Sequence, residues 1–186
     1  MLKVQTAAVS IALVISGCAY LPSDSSAGEN GIDGEACTGS VAITDPGLLE
    51  TANPFLLTRA KLQKGKGGVC SAKVYAAVAP VVLYRVFDAS KPHSKFGSWW
   101  SLKAPSGSKA DYRAANAICK EWSALDRVIS CEVRPGTQVV IGTTQSAECS
   151  DGSTYPQTAV NQVFVANDGK VGIVHVGACR EENDWP

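Results

Sequence analysis

The sequence lacks an excess of charge of either sign. Its 17 basic residues balance its 17 acidic residues, so the formal net charge of the 186-residue chain is +0. It also lacks a run of like charges, an acidic tail and an internal repeat. Nucleic acid, which calls for a basic patch or stripe on the protein, is therefore not an expected partner.

Several motifs of catalysis and ligand binding are missing as well. No C-x-x-C or His–Cys pair has the spacing of a zinc site, so we expect no metal. The glycine-rich stretch 65–68 lacks the G-x-x-x-x-G-K-[ST] spacing of a phosphate-binding loop and is more typical of a helix stop. The stretch 106–108 is not a nucleophile elbow, because G-x-S-x-G is absent. No catalytic triad is found, and no bound cofactor is expected.

Long apolar runs are absent too, but a short one lies near the N-terminus. Lys3 supplies a positive charge, and residues 7–15 are apolar but too few to span a bilayer as a helix. They lead into Ile15-Ser16-Gly17-Cys18, which resembles the processing site of bacterial lipoproteins. The alternative is an ordinary signal peptide in which the cysteine is incidental.

The resemblance to lipoproteins implies that residues 1–17 are removed as a signal peptide and that Cys18 carries diacylglycerol, with acyl chains such as palmitate. Ala19 rather than aspartate follows the cysteine, and by the same resemblance this favours the outer membrane. The expected location is the cell envelope, with the membrane as the partner of Cys18. Residues 18–36 are rich in Ser, Gly and Asp and predict a flexible tether, and residues 37–186 predict a single globular domain.

Export changes the interpretation of the other six cysteines. An even number of cysteines in an oxidising compartment predicts three disulfides. Spacing does not select one pairing, and our preferred set starts from Cys119 and Cys131, which are close in sequence and straddle a turn, and leaves the other two pairs. That set is Cys119–Cys131, Cys149–Cys179 and Cys37–Cys70.

The remaining chain predicts an α+β fold: a mixed, mainly antiparallel sheet with a few short helices, stapled by disulfides. The β-branched run 81–87 predicts a buried strand, and Arg85 inside it needs a partner or a cleft. Trp99 and Trp100 are adjacent on a short strand, so one is expected in the core and the other at a cleft. Helices are predicted after the capping residues Asn53 and Ser108, the second running from 109 to about 122.

Two hairpins are predicted in the second half of the chain. The tetrad 134–137 fits a type II turn and predicts that strands 126–133 and 138–142 pair with each other. A two-residue turn at Asp168-Gly169 would place Gln162 opposite His175 on one face of a second hairpin.

Four spaced pieces together carry a resemblance to a known family. They are Leu83-Tyr84-Arg85-Val86, Gly97-Ser98-Trp99-Trp100-Ser101-Leu102 with Pro105-Ser106-Gly107-Ser108, the hairpin residues 133–142, and Val160-Asn161-Gln162-Val163-Phe164-Val165. Their order resembles the ADP-ribosyltransferase-like fold. It is most similar to the bacterial NAD-glycohydrolase toxin domains, which carry glutamine where transferases carry a catalytic glutamate.

The resemblance implies a role for each matching residue. Arg85 matches the arginine that contacts the ribose or phosphates of NAD, and Trp99 or Trp100 matches the position that holds nicotinamide. Gln162 matches the residue that holds the nicotinamide ribose and the attacking water. His175, predicted beside it, is a candidate acid or base. The implied activity is that of a NAD glycohydrolase or ADP-ribosyltransferase, with NAD as substrate rather than cofactor.

Two departures from the family pattern keep a second function open. Residues 158–161 replace the glycines that usually precede the glutamine, and Val160 stands where transferases carry a further glutamate. The alternative is a non-catalytic envelope lipoprotein that binds another envelope protein, a target protein or a glycan. Under that interpretation Arg85 pairs with a buried carboxylate, both tryptophans are core residues, and Gln162 packs on a solvent-facing strand.

Overall fold

The computed structural model describes residues 29–180 and 183–185. The predicted signal peptide, Cys18 and most of the predicted tether lie outside the described residues. Within them, no helix has both the length and the apolar character needed to cross a membrane.

Strands dominate the described chain. In order, they are β1 (Leu48–Thr51), β2 (Val69–Ala77), β3 (Val81–Phe87), β4 (Trp99–Trp100), β5 (Arg127–Val133), β6 (Gln138–Thr144), β7 (Ala147–Glu148), β8 (Thr154–Tyr155), β9 (Thr158–Val165), β10 (Val176–Gly177) and β11 (Asn183–Asp184). The helices are α1 (Pro54–Lys61), α2 (Lys109–Ala115) and a 3-10 turn at Pro92–Phe96. The predicted α+β class with mainly antiparallel strands is confirmed.

The strands form two main sheets and a short ribbon. One sheet has the order β1-β2-β6-β9-β4. In the other, β5 pairs with β3 along one edge and with β10 and β11 along the opposite edge, and β7 pairs with β8 by itself. The two main sheets are joined where Tyr84 of β3 exchanges backbone hydrogen bonds with Ser101, directly after β4.

Side-chain alternation buries both faces of the five-stranded sheet. Ile141 and Val163 lie in the core cluster that also contains Leu83 of β3 and Ile129 of β5, between the two sheets. Their neighbours in sequence face the other way: Val140 and Phe164 pack with Leu56 and Ala60 of α1. Gln162 has the same parity as Phe164, so it lies on the α1 face of the sheet.

Both predicted helix starts are confirmed. Asn53 caps α1 by accepting a hydrogen bond from Leu56 N at 2.9 Å, and Ser108 caps α2 by accepting from Asp111 N at 3.1 Å. The second helix, however, ends at Ala115 rather than near residue 122. The backbone at Ala117 has φ +48°, a left-handed conformation that stops the helix and turns the chain towards a disulfide.

The first predicted hairpin is wrong, although its turn is present. Thr137 N donates to Arg134 O at 3.1 Å, and Gly136 has the positive φ of +86° that a type II turn requires. The two flanking strands nevertheless belong to different sheets, β5 with β3 and β6 with β2 and β9. The turn therefore carries the chain across the core from one sheet to the other.

The second predicted hairpin is also wrong, and with it the pairing of Gln162 with His175. Gln162 lies opposite Gly142 of β6. β6 pairs along one edge of β9, and β4 pairs with Val163 and Phe164 on the other, so a strand returning after residue 168 finds this end of β9 occupied. After a local bridge between Asp168 and Ile173, the chain crosses to β5 and forms β10.

All six described cysteines are in disulfides, but only one preferred pair is correct. Cys37–Cys70 is present as predicted, and the other two bonds are Cys119–Cys149 and Cys131–Cys179. The preferred Cys119–Cys131 and Cys149–Cys179 pairs are wrong because the sheet pairing decides which thiols meet. Cys131 lies on β5 and Cys179 directly follows β10, which pairs with β5.

Candidate functional site

A pocket of about 210 Å³ brings three of the predicted site residues together. Arg85 from β3, Trp99 from β4 and Gln162 from β9 all line it. The remaining wall consists of the glycine turn 66–68 and the segment 116–125 that follows α2. Residues from two different sheets meet here because β4 lies at the edge of one sheet and bridges to β3 of the other through Ser101.

Arg85 is held by backbone carbonyls and not by a carboxylate. Its Nε donates to Ser94 O at 2.6 Å, and its Nη1 donates to Trp99 O. Within the described chain it forms no ion pair. The guanidinium lies so close to Gly97 that a Cβ there would clash with Arg85 Nη2, which explains the glycine. Arg85, which lines the pocket, thus has N–H donors that no hydrogen bond within the described chain uses.

The charge of Arg85 persists in spite of its burial. Burial lowers the pKa of Arg85 to about 10, while nearby Tyr112 raises it. Burial likewise raises the pKa of Tyr112 to about 12, so the phenol is neutral when the guanidinium is charged. Lys66 is the other basic residue at the pocket, and no Asp or Glu is among the described residues that line it. The pocket therefore favours an anionic ligand.

Gln162 lines the pocket, and the NH₂ group of its side-chain amide is hydrogen-bonded within the protein. The residue is 7% exposed, and its Nε2 donates to Thr144 Oγ1 at 2.9 Å and to Asn116 O at 3.0 Å. Its Oε1 has no hydrogen-bond partner among the described residues. A hydroxyl or water in the pocket would therefore meet a hydrogen-bond acceptor at this position.

The adjacent tryptophans separate as alternation predicts. Trp100 is 3% exposed and belongs to the core between the sheets. Trp99 lies on the opposite face, where its ring packs on Phe164 with centroids 5.2 Å apart, and it lines the pocket. Trp100 does not line the pocket, so of the two tryptophans Trp99 is the one placed to contact a ligand there.

His175 lies away from this pocket. Its backbone N donates to Asn167 Oδ1 at 2.7 Å, in the connection between β9 and β10. The predicted position of His175 beside Gln162 is wrong, because the strand pairing on which it depended does not form.

Sequence reasoning missed Trp122. This tryptophan is 38% exposed and lines the pocket, with its ring atoms 3.5 and 3.7 Å from the position of a Cβ on Gly67. The predicted helix from 109 to about 122 placed Trp122 at the end of a helical face. The glycine pair at 67–68 was the available signal, since both residues have positive φ and leave space for a large ring.

The pocket wall 116–125 is fixed at several points. Arg113 is 7% exposed and donates to three of its carbonyls, those of Ile118, Cys119 and Ser123. Lys91 Nζ donates to two more, and Asp88 Oδ2 accepts from Ala124 N at 3.2 Å. The Cys119–Cys149 disulfide anchors the same segment to β7 and β8. This wall is therefore rigid without being part of a helix or strand.

Acid is expected to loosen this wall through Asp88. Hydrogen bonding from Ser90, aided by Ala124 N and Lys91, holds the pKa of the Asp88 carboxyl at about 2. A carboxyl whose pKa is lowered by folding stabilises the protein at pH values above its pKa in the unfolded chain. This stabilisation is lost as the pH falls towards the pKa of the folded protein. The Asp88→Asn variant should therefore have a lower Tm than wild type at pH 6, and the difference should shrink between pH 4 and pH 2. A difference that is constant with pH would contradict this role.

Two neighbouring features complete the site. A larger cavity of about 610 Å³ adjoins the pocket, and Asn116 lines both. Cys119, Glu121 and Cys149 have donor atoms within 4.8 Å of one another, but both sulfurs are consumed by the disulfide, so this group does not hold a metal in the oxidised protein.

Comparison with known proteins gives one structural likeness. A chain in the solved structure of Tne2 in complex with Tni2 matches with a TM-score of 0.47 and 15% sequence identity, over 62% of this chain and 93% of that one. No model of a known protein family and no curated protein sequence matches the chain. A likeness of this size carries no argument about function, which is therefore argued from the pocket itself.

Proposed function

We propose that the pocket binds NAD and hydrolyses its N-glycosidic bond slowly. The observation that carries this proposal is the convergence of Arg85, Trp99 and Gln162, from three strands of two sheets, on one pocket. These are the residues that the family resemblance assigns to the phosphates or ribose, to nicotinamide, and to the reacting ribose.

Each residue suits its part of the ligand. The guanidinium of Arg85 has unused donors and no competing carboxylate, which suits the phosphate or ribose oxygens of the dinucleotide. The ring of Trp99 offers a flat surface to the nicotinamide. Gln162 Oε1 accepts a hydrogen bond from a ribose hydroxyl or from the attacking water.

The chemistry follows from what the pocket contains. Water attacks the anomeric carbon of the ribose, and nicotinamide leaves with the electron pair of the broken C–N bond. The products are nicotinamide, ADP-ribose and a proton. The transition state carries positive charge on the sugar, as in other glycoside hydrolyses. A neutral glutamine orients the reacting groups but does not offset that charge, so we expect slow hydrolysis in preference to transfer to a protein.

The proposed location comes from the N-terminal sequence. Lipid on Cys18 would hold the domain at the cell envelope, with the outer membrane as the anchor and the stretch 18–36 as a tether. A second candidate function is binding without turnover, of NAD itself or of an envelope protein or glycan. The lack of an Asp or Glu among the described residues that line the pocket favours this candidate.

The proposal is tested by incubating the oxidised protein with NAD and measuring release of nicotinamide and ADP-ribose. Replacing Gln162 by Ala should lower the rate by roughly 100-fold, since the acceptor that orients the ribose or the water is lost. The matched control is Gln63→Ala, at an exposed position outside the pocket, which should keep the wild-type rate. Equal rates in wild type and Gln162→Ala would refute the assignment of Gln162, and an absence of product would leave only the binding function.

A further inference from the structure

Gln162 has no side chain directly opposite it in the sheet. Its cross-strand partner is Gly142, where an added Cβ would lie 2.5 Å from Ala72 Cβ and 2.6 Å from Ser71 O. No larger residue fits at this position, because backbone and side chain of β2 already occupy it. The orientation of the Gln162 amide must therefore come from another residue.

Thr144 supplies that contact because of an irregularity between β6 and β9. The register shifts between Thr143, which pairs with Asn161, and Thr144, which pairs with Thr158. A shift of this kind re-aims the side chains beside it. Thr144 is completely buried, and its hydroxyl lies 2.9 Å from Gln162 Nε2.

The Thr144 hydroxyl donates one hydrogen bond and accepts another. Its single hydroxyl hydrogen is donated to Val160 O at 2.9 Å, so towards Gln162 the oxygen acts as an acceptor. The second partner of Gln162 Nε2 is the backbone oxygen of Asn116, which is an acceptor in every state. Both neighbours thus require the NH₂ end of the amide, and a flipped amide would place oxygen against oxygen.

We propose that Thr144 is a positioning residue that, with the backbone oxygen of Asn116, locks the Gln162 amide so that only Oε1 faces the pocket. The site is thereby built for glutamine, and the ligand group that it recognises is a hydrogen-bond donor such as a sugar hydroxyl. The consequence for catalysis rests on the proposed function, whereas the orientation of the amide does not.

The orientation is tested first in the ligand-free full chain, exported, oxidised and solubilised in mild detergent. Hydrogen exchange of the assigned Gln162 side-chain amide is measured by NMR. Because both hydrogens are held in hydrogen bonds, one to the buried Thr144 hydroxyl and one to the backbone oxygen of Asn116, both should exchange at least tenfold more slowly than those of the exposed Gln63. Exchange as fast as that of Gln63 would overturn the proposal without the need for any variant.

Variants of Thr144 then separate positioning from packing. Thr144→Val keeps the shape but removes the hydroxyl, so exchange of the Gln162 amide should accelerate at least tenfold, and kcat for NAD should fall about tenfold with KM within twofold. Thr144→Ser restores the hydroxyl and should restore both values. Unchanged amide protection in the valine variant, or failure of a folded serine variant to restore it, would overturn the proposal. If wild type cleaves no NAD while the amide behaves as expected, the catalytic function fails and the positioning role stands.

Discussion

Replacing Arg85 by alanine is expected to weaken NAD binding by roughly 100-fold, because the pocket then loses its buried cation and the donors that face the ligand. The same change removes the Arg85 donor from Trp99 O and one of two donors from Ser94 O, which still accepts from Gly97 N at 3.1 Å. Hydrogen bonds from a charged group contribute about 1.5–3 kcal/mol each, and the cost of burying the guanidinium offsets part of this. We therefore also expect a loss of about 2–3 kcal/mol in the free energy of unfolding.

Arg85→Lys separates charge from geometry, and Arg134→Ala is a control outside the pocket. Arg85→Lys keeps the positive charge but cannot hold two carbonyls and a phosphate with one ammonium group, so NAD binding should weaken about tenfold. Arg134→Ala removes an arginine that also donates to a carbonyl, Val174 O at 3.1 Å, but lies outside the pocket. Calorimetric titration and thermal unfolding measure both effects. An Arg85→Ala protein that binds NAD as tightly as wild type would remove Arg85 from the site.

Removal of the Cys119–Cys149 disulfide should reduce stability and ligand binding together. The bond closes a separation of 30 residues, for which the loop-entropy argument gives about 3–4 kcal/mol. In a domain of this size that corresponds to a decrease in Tm of roughly 6–16 °C. Because Cys119 lies in the wall 116–125, the paired change Cys119→Ala with Cys149→Ala should also weaken NAD binding about tenfold or more.

The chain contains a matched control for this experiment. Cys37–Cys70 closes a nearly equal separation of 33 residues, and neither cysteine lies in the wall segment 116–125. The paired change Cys37→Ala with Cys70→Ala should therefore lower Tm by a similar amount and leave the affinity for NAD within about twofold. If the two pairs alter NAD binding to the same extent, the disulfide near the pocket has no specific role in its wall.

Local signals predicted the local structure of this protein well. The caps at Asn53 and Ser108 act within one helical turn, so the residues that form them are visible in the sequence. The opposite facing of Trp99 and Trp100 follows from the strand period alone. The turn at 134–137 formed for the same reason, since its proline and glycine set the backbone angles directly.

Strand pairing was the part that local signals did not predict. Whether a turn joins two paired strands depends on which sheet edges remain free, and the end of β9 that a strand returning after residue 168 would meet is occupied by β6 and β4. The misplaced His175 follows from that error, whereas the two misassigned disulfides follow from the preference for Cys119 and Cys131 as cysteines close in sequence. Cys131 meets Cys179 only because β10 pairs with β5.

The pocket itself was predicted in part. Arg85, Trp99 and Gln162 lie in three separate motifs of the sequence, and their meeting depends on the bridge that joins the two sheets at Tyr84 and Ser101. Trp122 was missed because it reaches the pocket from an irregular segment, whose path is determined by Arg113 and a disulfide rather than by a repeating pattern.

The four tryptophans of the chain allow the most direct test of the central claim, that this pocket is where NAD binds. Trp99 and Trp122 line the pocket, whereas Trp100 is in the core and Trp185 packs against Tyr112. In an NMR titration of the indole N–H signals with NAD, we predict saturable shifts of Trp99 and Trp122 with little change in Trp100 and Trp185. Signals that do not respond to NAD, or a response confined to Trp100 or Trp185, would contradict the account.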